Sequence, residues 1–240
     1  MMMNKPTPPQ GFSLIEMLIT VSIAMVLAAL IAAGTKTSLA AASKAKGMAN
    51  LRQIVSAMHL YASDNNEYFP PGYFYKQGEG EKTFASELAP YMDKINKLNP
   101  AASPFVSPTS LLKVKPNSEF VPSTYSVHGL LCGDTSVADK RIKRNRIARP
   151  TQVILIGEGG QRPSSTYAAS TLRFPEAFQN ANAPQDLNTK IAVGPDSDTV
   201  DGMGWLRYRT QGGAMVGMVD GHCELIKKGS VTYGNIIADR

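Results

Sequence analysis

The stretch that decides the fold is GFSLIEMLITVSIAMVLAALIAA, residues 11–33. From position 14 to position 33 it holds twenty residues, among which Glu16 is the only charged one. A helix of this length spans about 30 Å, the thickness of a bilayer's hydrocarbon core. A cleaved secretory signal would have a shorter apolar core and a small-residue cleavage site. We therefore predict a retained transmembrane helix over residues 12–34, preceded by a polar leader, residues 1–11.

Glu16 is costly in this setting, because a carboxylate at the centre of a bilayer costs about 2.5 kcal/mol or more. One explanation is local: Ser13 and Glu16 have the S-x-x-E spacing of a capping box, in which the glutamate accepts a hydrogen bond at the helix start. The other is functional, since an ionisable residue within a membrane usually has a partner. The residues alone leave both explanations open.

Residues 10–34 resemble the processing site of type IV prepilins and of type II secretion pseudopilins, because Q-G-F-S-L-I-E precedes an apolar helix. The resemblance implies that a prepilin peptidase cuts between Gly11 and Phe12 and methylates the new amino group of Phe12. It also implies that Glu16 meets the ammonium of Phe12 on a neighbouring subunit, and thereby sets the register of a filament. Opposite charges attract far more strongly in a low-dielectric bundle than in water.

The resemblance further implies a single pass through the bacterial inner membrane, with a cytoplasmic N-terminus and a periplasmic C-terminal domain. After assembly, the protein would be part of a periplasmic or cell-surface filament. The count of basic residues does not favour this orientation. Only Lys5 precedes the span, whereas four basic residues follow it: Lys36, Lys44, Lys46 and Arg52.

Beyond the membrane segment the helix is predicted to continue as an amphipathic stretch, residues 35–63. Apolar residues recur there at spacings of three and four, at Met48, Leu51, Val55, Met58 and Ala62. Polar residues take the other side, at Asn50, Gln53, Ser56 and His59, and we expect His59 to be solvated. Asp64-Asn65-Asn66 and Pro70-Pro71 predict the stop.

Residues 64–240 are predicted to form a β-rich globular domain. The fold class is thus α+β and pilin-like: one long N-terminal helix packed on a C-terminal antiparallel sheet. Residues 83–98 have helical character, whereas STYSVHGLL (123–131) and QVILIGEG (152–159) predict strands.

Asp220-Gly221 predicts a β-hairpin with a two-residue turn. That turn would place Met218 opposite Cys223. It would also put four apolar side chains on one core face, Val216, Met218, Cys223 and Leu225, and the opposite face would hold Gly217, His222 and Glu224. The ending resembles a pilin-like group with Asp-Gly near its C-terminus. The histidine which that group carries ahead of Asp-Gly is replaced here by Thr210.

Metal and disulfide chemistry have few candidates. His128, Cys132, His222 and Cys223 could be combined into a zinc set, but adjacent strand residues point to opposite faces, so we assign no metal to them. Cys132 and Cys223 could form a disulfide in an oxidising compartment or remain two buried free thiols. Asp196, Asp198 and Asp201 lie close together in one loop and are either calcium ligands or an ordinary acidic surface loop.

The chain has a net charge of +6, and one basic run stands out, DKRIKRNRIARP (139–150), with six Lys or Arg residues. Because no aromatic residue is interleaved in it, we interpret it as a solvated face or a subunit contact and expect no nucleic-acid partner. Motifs of common enzyme classes, such as a nucleophile elbow or a P-loop, are missing from the sequence, so we expect no enzymatic activity and no cofactor apart from the candidate calcium.

The predicted function is therefore a pilin-like structural subunit of a type II secretion pseudopilus or a type IV pilus-like filament. Its partners would be the prepilin peptidase, other pilin or pseudopilin subunits, the inner-membrane assembly machinery and membrane lipid. The alternative is a membrane-anchored monomeric ectodomain that binds an extracellular ligand such as a glycan.

Overall fold

A computed structural model describes residues 12–76, 78, 80–93, 95, 99–117, 120–136, 139–173 and 186–238, without the side chains of residues 31–34, 36 and 76. The chain divides into two compact units, Met1–Ala42 and Ser43–Arg240. Its helices are α1 (Leu14–Asp64) and α2 (Phe84–Leu88), and its strands are β1 (Tyr73–Lys76), β2 (Gly80–Thr83), β3 (Tyr125–Val127), β4 (Ile154–Glu158), β5 (Gly213–Met218) and β6 (Cys223–Lys227). Short 3₁₀ turns occur at Ala89–Tyr91, Pro100–Ala102, Arg144–Arg146 and Tyr233–Asn235.

Helix α1 confirms the prediction of one long N-terminal helix, since its ends lie within two residues of those expected. It stops where Asn66 and Glu67 take the left-handed backbone conformation, with φ of 54° and 68°. Within the described residues, no helix combines the length and the apolar character needed to cross a membrane. The predicted span, residues 12–34, includes residues 31–34, whose side chains the structure does not describe. The predicted leader, residues 1–11, lies wholly outside the described residues.

The part of α1 that belongs to the second unit packs on the sheet, as its apolar stripe predicts. Leu51, Val55, Met58 and Ala62 are fully or almost fully buried, and Met48 is partly buried against them. Asn50 was expected on the polar side but is buried as well. Its side-chain amide donates a hydrogen bond of 3.4 Å to the carbonyl of Val106, because the segment around that residue crosses the helix.

The sheet is antiparallel throughout, in the order β3-β4-β5-β6, and β1 and β2 form a separate hairpin. The α+β class, with a helix on an antiparallel sheet, is confirmed. The predicted strands within 123–131 and 152–159 correspond to β3 and β4.

The register of the last hairpin corrects the prediction by one residue. Gly217 pairs with Cys223, and the Met218 N–H donates to the His222 carbonyl at 2.8 Å. Three residues rather than two therefore form the loop, and its last residue, Gly221, has a φ of 104°. This is the common three-residue loop in which a glycine supplies the left-handed position.

A shift of one residue moves every side chain of a strand to the other face. Met215 and Val219 consequently join Cys223 and Leu225 in the core beneath α1, whereas Val216 and Met218 face a second core. The predicted face of Val216, Met218, Cys223 and Leu225 is therefore wrong. Strand β5 is buried on both faces, because the segment that follows β6 covers the second one with Val231, Tyr233 and Ile236.

The helical prediction for residues 83–98 holds only for its first part. Helix α2 ends at Leu88, and the chain passes into the 3₁₀ turn Ala89–Tyr91. Pro90 explains the stop, because proline lacks the N–H that an α-helix needs and its ring collides with the preceding turn. Residues 94 and 96–98 lie outside the described part of the chain.

Candidate functional site

The N-terminal segment leaves its apolar side chains uncovered. Every large apolar side chain from Phe12 to Leu30 is at least 50% exposed, and Phe12 itself is 83% exposed. Folded soluble proteins seldom leave so long an apolar surface without a partner or a membrane against it. The segment therefore requires apolar surroundings that the single chain does not supply.

Glu16 lies at the beginning of α1. Its Oε2 accepts a hydrogen bond of 2.9 Å from the Ser13 N–H, and the Ile15 N–H donates to the Ser13 Oγ at 3.4 Å. This is the capping interaction that the sequence allows, and it satisfies an N–H that the helix leaves free. Within the described residues, the other carboxylate oxygen has no hydrogen bond. Gly11 lies outside the description, so the predicted cleavage site is visible only from Phe12 onward.

The acidic loop differs from both of its predicted forms. Asp196 Oδ1 accepts from Arg207 Nη1 at 2.5 Å and its Oδ2 from Lys228 Nζ at 2.7 Å. Asp198 Oδ1 accepts from Arg209 Nη2 at 2.5 Å. These basic groups occupy the oxygens that a calcium ion would need.

Within the residues that the structure covers, no three His, Cys, Asp or Glu side chains are placed to hold a metal ion. Asp201 is exposed and forms no part of the cluster. Two of the three candidate calcium ligands, Asp196 and Asp198, thus form ion pairs with Arg207, Lys228 and Arg209.

The pKa values of the two paired carboxyls reflect this setting. Burial by itself raises the pKa of Asp198, but the Gln161 N–H and the Arg209 guanidinium outweigh it and hold the pKa below its ordinary value. Burial likewise raises the pKa of Asp196, and Lys228, the Tyr208 N–H and Arg207 together lower it. Both carboxyls are thus ionised and paired in neutral solution.

His59 is not a solvated histidine. Arg144 Nη1 lies 3.1 Å from its Nδ1, and its Nε2 is buried without a hydrogen-bond partner among the described side chains. Burial, followed by the nearby Arg144 charge, lowers the pKa of His59. The same guanidinium forms two bonds to Glu67, at 2.8 Å and 3.0 Å. The basic run crosses the end of α1 here, and no pattern within the helix could indicate that.

His128 is fully buried at the end of β3. Its Nε2 lies 2.8 Å from the Ile236 carbonyl, and the Leu130 N–H donates to its Nδ1 at 3.2 Å. Nε2 must therefore carry the proton of a neutral ring. Burial lowers the pKa of His128 to about 4. His222, by contrast, is exposed on the hairpin, and its Nδ1 lies 2.6 Å from an Asp220 oxygen.

Cys132 and Cys223 are both free thiols in the structure, which matches the second of the two predicted alternatives and not the disulfide. Cys132 is buried, and Cys223 is partly exposed on the edge strand β6. With His128 buried and His222 exposed, the four residues of the hypothetical zinc set do not form a metal site within the described chain.

Thiol labelling tests this arrangement. Burial raises the pKa of the Cys132 thiol, and it raises that of Cys223 to about 11. Because the thiolate is the reactive form, we expect an alkylating reagent in mildly alkaline solution to modify Cys223 slowly and Cys132 only after unfolding. Mass spectrometry of labelled peptides measures both, with the chain in urea as the fully reactive control. Rapid labelling of native Cys132, or a disulfide between Cys132 and Cys223 in the native protein, would contradict the structure.

Glu158 ends β4 and is completely buried. Its Oε1 accepts from Ser107 Oγ at 2.7 Å and from Thr109 Oγ1 at 2.5 Å, and its Oε2 accepts from the Met215 N–H at 3.1 Å. The carboxylate thus joins a proline-rich connection to two strands. Its partners lie about 50 residues away on both sides, so no local pattern in the sequence indicates them.

Comparison with known families adds one finding. Residues 9–32 match the family model of the prokaryotic N-terminal methylation motif, the signature of type IV pilins and pseudopilins. Against curated proteins and against solved structures, the chain has no significant match. The matched segment includes Gly11, Phe12 and Glu16, so the chain carries the motif that prepilin peptidases process. The match does not reach the Asp-Gly ending, and that resemblance stays a prediction.

Proposed function

We propose that this chain, a carrier of the N-terminal methylation motif of type IV pilin-like proteins, is a structural and non-catalytic subunit of a filament. The observation that carries the proposal is the position of the motif. It matches residues 9–32, the same segment in which the apolar side chains of α1 lack cover. A bundle of such helices would supply the missing apolar surroundings, and lipid would do so before assembly.

The proposed sequence of events begins in the bacterial inner membrane, with the N-terminus in the cytoplasm and the second unit in the periplasm. A prepilin peptidase removes residues 1–11 and methylates Phe12. Helices of successive subunits then pack together, and the Glu16 carboxylate of one meets the Phe12 ammonium of the next. The pairing is favourable because either charge alone in an apolar bundle would cost several kcal/mol. The resulting filament is a type II secretion pseudopilus or a type IV pilus-like fibre.

Replacing Glu16 with alanine tests the assembly step. We expect Glu16→Ala to leave cleavage and methylation intact but to reduce filament yield by about tenfold or more, because the partner's ammonium then stays unpaired. Intact mass of the extracted chain measures processing, and cross-linking in cells measures assembly. Glu224→Ala, at an exposed glutamate on β6, is the matched control and should assemble as the parent does.

The outcomes separate the two candidate functions. A mature mass that still includes residues 1–11 would rule out the proposal at its first step. Normal processing together with undiminished function of a Glu16→Ala chain that forms no polymer would favour the anchored monomeric ectodomain instead. Deletion of the gene then distinguishes the two filament types: retained export substrates in the periplasm indicate a pseudopilus, and loss of a surface fibre indicates a pilus.

A further inference from the structure

The basic run 139–150 separates into paired and unpaired cations. Arg141 is held by both oxygens of Asp139, at 2.8 Å and 2.7 Å, and Arg144 is held by Glu67. Arg149 donates to the Ile237 carbonyl at 2.9 Å. The remaining three cations, Lys140, Lys143 and Arg146, have no carboxylate partner within the described residues. Half of the cations of the run thus have a partner within the fold, and the other three are uncompensated as far as the described residues reach.

These three cations line one open groove with a volume of about 930 Å³, and its other lining residues are Tyr68, Arg141, Ile142 and Asn145. None of the lining residues is acidic. The Arg141 guanidinium and the Lys143 ammonium lie over the Tyr68 ring, 5.1 Å and 5.0 Å from its centre. These contacts hold Lys143, one of the three uncompensated cations, and the paired Arg141 in place before any ligand arrives. Less conformational entropy is therefore lost when a ligand binds.

The groove also offers neutral polar groups. Asn145 and Tyr68 line it, and their side chains carry an amide and a hydroxyl. An amide both donates and accepts, and so does a hydroxyl, and together they match the hydroxyl groups of a sugar. Lysine and arginine match carboxylates and sulfates. A ligand with both kinds of group could pair with the cations of the groove and hydrogen-bond its neutral side chains.

We propose that this groove binds an acidic polysaccharide, a chain of sugars that bear carboxylate or sulfate groups. A nucleic acid fits less well, because single strands bind by stacking bases on open aromatic faces. Tyr68, the one aromatic residue among the described residues that line the groove, already has two cations over its ring. The proposal concerns the second unit alone and does not depend on filament assembly.

Binding of two defined probes tests the proposal. The full chain in detergent micelles is titrated with polygalacturonate, which bears carboxylates, and with dextran sulfate, with neutral dextran as the uncharged probe. The groove variant is Lys140→Gln, Lys143→Gln and Arg146→Gln combined. The control variant loses the same charge at three exposed lysines outside the groove, as Lys113→Gln, Lys115→Gln and Lys227→Gln.

We expect the groove variant to bind one or both acidic probes about tenfold more weakly or worse, and the control variant to lose less than about twofold. Neutral dextran should not bind. Equal loss in both variants would show that net charge alone attracts the probes, and would overturn the proposal. Failure of both acidic probes to bind at low salt would overturn it too.

A single-stranded oligothymidylate identifies the competing class of ligand. If it binds more tightly than both saccharides and loses affinity in the groove variant, the groove is a nucleic-acid site and the proposal is wrong. Thermal unfolding checks that the triple variant is folded. Should it not fold, Arg146→Gln alone, at an exposed side chain, is expected to weaken saccharide binding by about threefold, and an unchanged affinity would contradict the proposal.

Discussion

Replacing Asp198 with alanine should lower the free energy of unfolding by about 3–5 kcal/mol relative to the parent chain. The Asp198 side chain is 7% exposed, and its partners Arg209 and Arg207 are 2% and 14% exposed. Removing the carboxylate would leave Arg209 without an ion-pair partner among the described residues. Arg207 would keep only Asp196, which also pairs with Lys228. Urea-induced unfolding of the full chain in detergent measures the change.

Asp201→Ala is the matched control for this loop, because Asp201 is exposed and lies outside the ion-pair cluster. We expect it to change the free energy of unfolding by less than about 0.5 kcal/mol. Added calcium or a chelator should leave both chains unaffected, because the basic side chains hold the carboxylate oxygens. Stabilisation of the parent by calcium, or an Asp198→Ala chain as stable as the parent, would refute the ion-pair account.

The contribution of this ion-pair cluster to stability depends on pH in a defined way. The pKa of Asp198 lies below its unfolded value of about 3.9, so its contribution to stability is present above that value. The contribution is lost only as the pH falls further, through the folded pKa. Any loss of stability at milder acidity must therefore have another source.

Acidification from neutral pH to about pH 4 should lower the free energy of unfolding by about 3 kcal/mol through His128. The pKa of this ring is about 4 in the folded chain, below the ordinary value of 6.5. The stability that its neutral form provides is therefore complete above about pH 6.5 and declines as the pH falls toward 4. A proton on Nδ1 would also displace the hydrogen bond from the Leu130 N–H. Denaturant titrations at a series of pH values measure the loss.

The chain has three histidines, and the exposed one is the natural control. His222→Gln should keep the acid dependence of the parent. His128→Gln should be less stable at neutral pH but should lose most of the dependence between pH 6.5 and pH 4. What remains there comes from His59, whose pKa is lowered as well. A parent chain equally stable at both ends of this range would show that His128 does not need to be neutral in the fold.

The clusters around His59 and His128 show where sequence reasoning stops. The polar stripe of α1 predicts a solvated His59, and in an isolated helix that side would indeed face water. Arg144, which covers that ring, is 85 residues away in the sequence. The carbonyl that faces His128 is 108 residues away. A periodicity reports which face of an element is polar, but not which distant segment will cross it.

The hairpin shows the same limit at short range. Asp220-Gly221 correctly predicts a turn between two strands, but a loop of two residues and a loop of three are compatible with the same letters. The choice depends on what the two faces of β5 meet. Gly217 allows the close approach of Val55 on α1, and the second core takes Val216 and Met218.

Taken by itself, the sequence determined the long N-terminal helix, the methylation motif at residues 9–32 and the α+β class, because each depends on a local pattern of apolar and polar residues. Only the tertiary structure decided the strand register, the ion pairs of Asp196 and Asp198, the partial burial of His59 and the groove beside Tyr68. Each of these depends on segments that are remote in sequence and become neighbours only when the chain buries its apolar side chains.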